Sequence, residues 1–501
     1  MPRFAVKSSL QVPQRAWLIA AMSYLPFNIE TMHLHKKACQ DSTDQDAWAS
    51  FRKARNAVRK TVRYARSQYH NSIISDSLSK SPKTAWNEIK KLVHKVSASS
   101  PTCLKVNDQS LTSSSAIANA FNKHFASICK PISGPSLESS APNASTFVMP
   151  PTTPDWVLQQ LANLPPGKAV GLDGISGSAL KAAAPVIAVS VSELFNFSLS
   201  SGIYPSIFKK AKVIPIHKSG ITSDPNNFRP ISILPILSKI LERFVCNALT
   251  QFIDSNELLY VLQSGFRKNY SCTTAMINLY DSLLSAYNRK KFSGLLLIDF
   301  SKAFDRVNHR VLLHKLKSMG ICNPWFANYL CDRSQCVSFN GILSDFSQLD
   351  AGVPQGSVLG PLLFCCLIND LPSLLPDFST CHMFADDCNI VVEGSSSVDV
   401  QTKLDSVAES CLAWASTSCL ILNNAKTKTM LIRPSKRICF DDSFVVHMAG
   451  NPLVNVASAK ILGIFLCSDI GNVNLTVDYT CKKIDTALFF IHNASKFVNS
   501  R

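Results

Sequence analysis

The tetrapeptide Phe384-Ala385-Asp386-Asp387 puts two adjacent carboxylates between Cys381-His382-Met383 and the β-branched run Ile390-Val391-Val392. That pattern predicts a β-hairpin with both acids at its tight turn. An Asp-Asp pair is also at home in a solvated turn, where Asp bonds its own backbone. A third carboxylate tips the balance. Asp299 ends Leu295-Leu296-Leu297-Ile298, a continuous apolar run of the kind that forms a buried strand, so its side chain should emerge beside such a hairpin. Three acids converging from separate strands repel one another unless a divalent cation neutralises them. Hard oxygen ligands of this kind suit Mg2+, with phosphate as the remaining ligand. The chemistry implied is nucleotidyl transfer.

Cations in the same half of the chain fit that chemistry. Val213-Ile214-Pro215-Ile216-His217-Lys218 reads as a strand ending in a lysine, and Asn227-Phe228-Arg229-Pro230 returns an arginine. Lys218 as a compact charge and Arg229 through its planar fork make a clamp for a triphosphate. Without the acids, the same pair would be two surface cations on a hairpin. Gly352-Val353-Pro354-Gln355-Gly356 allows close backbone approach to a ligand, and Gln355 offers both a donor and an acceptor.

The elements that must position these residues sit in a chain of 501 residues, 46% hydrophobic and 17% charged, long enough for a large core and more than one domain. The net charge is +17, and residues 1–95 hold 17 Lys/Arg against 6 Asp/Glu, or 17 − 6 = +11 of it. A basic segment ahead of a carboxylate site points to a polyanionic partner. Within it, residues 45–95 have helical periodicity, with Arg52, Arg55, Arg59, Arg63 and Arg66 along one face. Such a row tracks phosphates or is the solvated face of a packing helix. Seventeen cysteines without a CxxC pair or zinc spacing read as reduced thiols. No run approaches the roughly 18–20 apolar residues that span a bilayer. The acid-free first 29 residues, with Ala16 to Met22 apolar, have the composition of a basic leader. Pro and Ser concentrate between 97 and 154, which reads as a linker containing one helix, Ser113 to Ile128.

The motifs follow one another in a recognisable order: Lys218 and Arg229; Gln263-Ser264-Gly265-Phe266-Arg267; Asp299-Phe300-Ser301-Lys302-Ala303-Phe304-Asp305; Gly352 to Ser357; Phe384 to Asp387; Leu422-Asn423 and Lys426-Thr427; Lys460-Ile461-Leu462-Gly463. Over about 300 residues the chain resembles the reverse transcriptase of non-LTR (LINE-type) retrotransposons. It departs from the usual residues at Phe384, Ser418 and Cys467.

The resemblance implies an α+β right-hand polymerase. Residues 1–96 would be a basic helical N-terminal extension, 97–154 the linker, 155–470 fingers and palm, and 471–501 the start of a truncated thumb. It implies Asp299 and Asp386 as ligands of two Mg2+ ions, with Asp387 as an auxiliary catalytic carboxylate. Lys218, Arg229, Phe304, Gln355 and Lys426 would serve the dNTP: Phe304 under the sugar, excluding a 2′-hydroxyl, and Lys426 near the leaving pyrophosphate. The partners implied are an RNA template and a DNA primer, with no membrane. The segment before the polymerase motifs is too short for an endonuclease and lacks its His/Asp pattern, so a separate endonuclease is expected. The expected location is nuclear or cytoplasmic, not secreted, with mitochondrial import as the reading the leader would support. Two other functions stand beside polymerisation: an RNA-binding protein derived from a catalytically impaired copy, and a maturase-like splicing factor.

Overall fold

The computed structural model describes residues 25–41, 43–80, 86, 88–89, 101–106, 109–132, 145–165, 167–434 and 443–495. Residues 16–22 of the candidate leader lie outside them. The described residues form two compact units: those up to 98 with those from 474 onward, and those between 99 and 473.

In the first unit, helices α1 (Leu25–Gln40) and α2 (Gln45–Lys80) are joined by a turn in which Asp44 accepts from Ala47 N at 2.9 Å. The predicted helix over 45–95 is thus continuous to Lys80, and α1 precedes it. From Ala47 to Ser75 there is no acid, while Arg52, Lys53, Arg59, Lys60 and Arg63 are exposed. Arg55 instead lies over the Phe51 ring, 5.7 Å from its centre. The segment from 471, expected to open a thumb, forms the helix Asn474–Ser495. It groups with these N-terminal helices, Trp86 meeting Phe490 edge-on at 6.0 Å.

The second unit opens with the hairpin β1 (Leu104–Val106) and β2 (Gln109–Leu111), then α3 (Ser114–Ile128), α4 (Pro154–Ala162) and α5 (Gly177–Ser201). Strands β3 (Lys210–His217) and β4 (Phe228–Ile233) pair antiparallel. Helices α6 (Ile236–Ser255) and α7 (Cys272–Asn288) follow, leading to strand β5 (Phe292–Ile298). Helices α8 (His309–Ser318) and α9 (Pro324–Leu330) bring the chain to β6 (Arg333–Phe339), β7 (Ile342–Leu343) and β8 (Ser347–Leu349). Helix α10 (Gly360–Ile368) precedes the hairpin β9 (Ser379–Phe384) and β10 (Asp387–Gly394), and α11 (Ser397–Thr417) leads to β11 (Lys428–Ile432). Short strands close the unit: β12 (His447–Met448), β13 (Asn451–Pro452), β14 (Val454–Asn455), β15 (Ser458–Ile461) and β16 (Ile464–Cys467).

One sheet has the order β14-β11-β5-β10-β9, with β5 between two antiparallel neighbours. Its run of Leu and Ile is apolar throughout because both faces are covered. Leu296 and Ile298 join the large core with α10 and α11, whereas Leu295 faces Met276, Leu279 and Leu283 of α7. Helix α11 lies so close that a Cβ on Gly294 would be 2.4 Å from Val400 Cγ1. The other sheet, β4-β3-β6-β7 with β8 on β6, rests on Ile117, Phe121 and Phe125 of α3. The stretch expected as linker therefore contributes Leu104, Phe121 and Phe125 to the core beneath β3 and β4. The architecture is the mixed helix-and-sheet, α+β arrangement expected.

Among the described helices α5 is long and apolar enough by composition to cross a bilayer, which the sequence reading did not anticipate. Leu180, Ala184, Ala188, Val191, Phe195 and Leu199 of this helix are spent on the protein core.

Candidate active site

Phe384 pairs with Asp387, which leaves Ala385 and Asp386 as the two-residue turn of the β9–β10 hairpin. Ala385 has a φ of 53°, a left-handed conformation uncommon for a residue with a side chain. It is braced from outside the hairpin. Gln263 Oε1 accepts from Ala385 N (3.1 Å) and from Gly265 N (2.8 Å), while Ser264 N donates to Met383 O at 2.8 Å. A Cβ on Gly265 would lie 2.4 Å from Ala385 N, so the brace requires glycine there.

The register carries the turn to Asp299. Cys388 pairs with Ile298, so Asp387 and Asp299 follow as neighbours where the two strands end. Beyond β5 the chain is tied to a second segment: Ser301 N donates to Ile421 O (2.9 Å) and Asn423 N to Asp299 O (2.8 Å). The Asn423 amide donates to Asp299 Oδ2 at 3.0 Å, Asp299 N donates to Thr427 Oγ1 at 3.3 Å, and Lys426 Nζ stands 4.0 Å from Oδ2. Asp299, Asp387 and Asn389 line one cleft with Lys426, Lys428 and Lys460.

The acids strain against one another. Burial, then the charge of Asp299, raises the Asp386 carboxyl, while Arg229 and Lys218 pull it down. Asp387 keeps an edge in water, yet the protein around it, then Asp386 and Asp299, pushes it up to about 6. Lys218 and Arg229 thus bear on the acids from the β3–β4 hairpin. Arg229 lies opposite Ile216, so Lys218, two residues on, shares its face. Lys302, at a left-handed φ of 54°, joins them: burial lowers its ammonium first, and Lys218 and Lys426 lower it further.

Phe304 and Gln355 meet at an adjoining turn. The half-buried Phe304 ring stacks on Phe364 of α10 at 4.5 Å. The glycine loop lies against the same turn, with Gly352 N donating to Val307 O (2.8 Å) and Val353 N to Phe304 O (2.9 Å). A Cβ on Gly352 would meet Asp305 O at 2.7 Å. On its other side Ser232 N donates to Gln355 O at 2.8 Å. Gln355 Nε2 donates to both oxygens of the buried Asp305, at 2.8 and 2.9 Å.

Comparison with known proteins decides the family. Residues 216–466, half of the chain, match the model of the reverse transcriptase (RNA-dependent DNA polymerase) family. The chain belongs to the reverse transcriptase family. It is similar to the probable RNA-directed DNA polymerase from transposon BS of Drosophila melanogaster, 30% identical over 332 residues, covering 63% of this chain and 36% of that one. It is also similar to the RNA-directed DNA polymerase from mobile element jockey of the same fly, 30% identical over 272 residues (52% and 30%). A third is the putative 115 kDa protein in type-1 retrotransposable element R1DM, 26% identical over 368 residues (72% and 34%). These relatives are non-LTR elements, as the resemblance implied, and the chain spans about a third of their length.

In this reverse transcriptase chain, Asp299, Asp386, Asp387, Lys218, Arg229 and Lys426 come together around the strand ends, with Phe304 on the turn that follows β5 and Gln355 on the glycine loop packed against it. The roles of Gln263, Lys302, Asp305 and Asn423 escaped assignment from sequence. Each lies inside a motif, which was the available signal, but each acts on a partner far along the chain.

Proposed function

We propose that this chain catalyses RNA-templated addition of dNMP to a primer 3′ end, releasing pyrophosphate. The observation that carries the reading is the meeting of Asp299, Asp386 and Asp387 at adjoining strand ends with Lys218 and Arg229 bearing on the same carboxylates.

Among the described residues no three His, Cys, Asp or Glu side chains form a ready-made metal cage. Mg2+ does not need one: it is ordinarily held by one or two carboxylates, its waters and substrate phosphates. Asp299 and Asp386 fit that role as hard oxygen donors whose mutual repulsion a cation would relieve. When bound, a pair of such ions supplies activation of the primer hydroxyl and charge neutralisation at the departing pyrophosphate. The remaining work belongs to the protein and is chiefly positioning. Lys218, Arg229, Lys302 and Lys426 hold the triphosphate; Asn423 holds Asp299; Gln263 holds the turn that carries Asp386. Phe304, stacked on Phe364, fills the space a ribose 2′-hydroxyl would need. The exposed cations of α2 bind the template's phosphates. A palm of this kind extends an end and does not cut, so a separate endonuclease supplies the primer.

The template class is tested by copying matched RNA and DNA templates of mixed sequence with all four dNTPs. Full-length product from RNA that survives ribonuclease treatment of the template supports the reading. Salt-dependent RNA binding with no product would favour an RNA-binding protein instead.

A further inference from the structure

Asp305 is a buried carboxylate beside this site that the proposed chemistry leaves unused. It is 6% exposed, and burial pushes its carboxyl up to about 6 against the pull of Gln355, Lys302 and Arg306. A neutral side chain would fill the position with less penalty. Its contacts show what a carboxylate adds. A carboxylate only accepts, so Gln355 must turn its Nε2 inward, where it meets both oxygens. The Gln355 backbone is fixed separately, through Ser232 N and through the two bonds from Gly352 and Val353 to the Phe304 turn. The far end of the loop is anchored by Glu242, which accepts from Val358 N (2.7 Å) and Leu359 N (3.3 Å). The side-chain amide would otherwise be free to flip.

We propose that Asp305 is a positioning residue that locks the Gln355 amide in one orientation, presenting its carbonyl Oε1, and only that atom, to a hydroxyl or N–H of the incoming nucleotide. The inference rests on the polymerase reading. Asp305 touches no substrate; it sets which half of Gln355 does. Asn in its place offers both a donor and an acceptor, so both orientations of Gln355 become available.

The test is steady-state primer extension with the full chain, comparing wild type, Asp305→Asn, Gln355→Met and the double variant, with thermal melting to confirm folding. Loss of one oriented hydrogen bond predicts a KM for dNTP raised about tenfold in Asp305→Asn, with kcat held within about threefold. The double variant should be no worse than Gln355→Met. A 2′,3′-dideoxynucleotide arm identifies the donor. If the variant's defect vanishes with that substrate, the donor is the sugar 3′-hydroxyl; if it persists, the donor is a base N–H. Either pattern supports the lock. Wild-type KM in Asp305→Asn, a fall in kcat alone, or independent additive effects overturn it. Failure of wild type to extend any primer overturns the polymerase reading, and this inference with it.

Discussion

Asp305 also makes a claim about stability. Its ordinary carboxyl value is 3.8 and its folded value is raised to about 6, so the folded state holds the proton more tightly than the unfolded one. Stability is therefore fully present below about pH 4 and is lost as pH rises through about 6, to the extent of about 3 kcal/mol. Asp305→Asn removes the penalty. Urea unfolding should find the variant more stable than wild type at pH 7.5, with the gain shrinking at pH 4.5; equal gains at both pH values would contradict the burial argument. At Phe304 the expectation is one of selectivity: Phe304→Ala should narrow the preference for dNTP over rNTP, measured by competing incorporation, and unchanged discrimination would remove it from the sugar site. The acids were legible from sequence because carboxylates at a strand end and a hairpin turn have few structural reasons to coincide. Asp305 was not, because its meaning depends on Gln355, fifty residues away.

At the scale of elements, the hairpin is held from outside as much as by its own ladder. Gly265→Ala drives a Cβ toward Ala385 N, a backbone atom that cannot swing aside as a flexible side chain would. Displacing the turn that carries Asp386 should lower incorporation by about two orders of magnitude. Gly471→Ala, where the new atom meets only Asp469 Oδ1 at 3.8 Å, is the control and should leave the rate unchanged. A Gly265→Ala rate equal to that control would mean that the brace is dispensable. Strand β5 and the β9–β10 hairpin were legible because a buried strand and a tight turn have local signatures. Within residues 104–128 the helix Ser113 to Ile128 was legible, but its place in the core was not. Ser and Pro around it signal loops, whereas Phe121 is placed by Phe228 at 4.8 Å and Phe339 at 6.1 Å, contacts no local pattern encodes.

For the whole molecule, the excess of positive charge is the main clue to partners. Helix α2, 36 residues and so about 54 Å long, displays its exposed Arg and Lys without an intervening acid from Ala47 to Ser75. If this face binds single-stranded RNA, replacing Arg59 and Arg63 by Gln should weaken binding similarly for unrelated sequences. It should also reduce the slope of log K against log salt by about 0.7 per lost phosphate contact. An unchanged slope would assign those arginines to the solvated face of a packing helix. Composition made the charge visible, but not the grouping of the helix Asn474–Ser495 with this unit, which follows from packing alone.

The central claim is that the carboxylates at the ends of β5 and β9 perform nucleotidyl transfer. Its most direct test is dTMP incorporation on a poly(rA)/oligo(dT) template with Mg2+, by the purified chain and by its Asp386→Asn variant, with RNA binding measured in parallel. Incorporation by the parent, its loss in the variant and equal RNA binding by both are the predicted result. A variant that polymerises at the parental rate would contradict the assignment of the site.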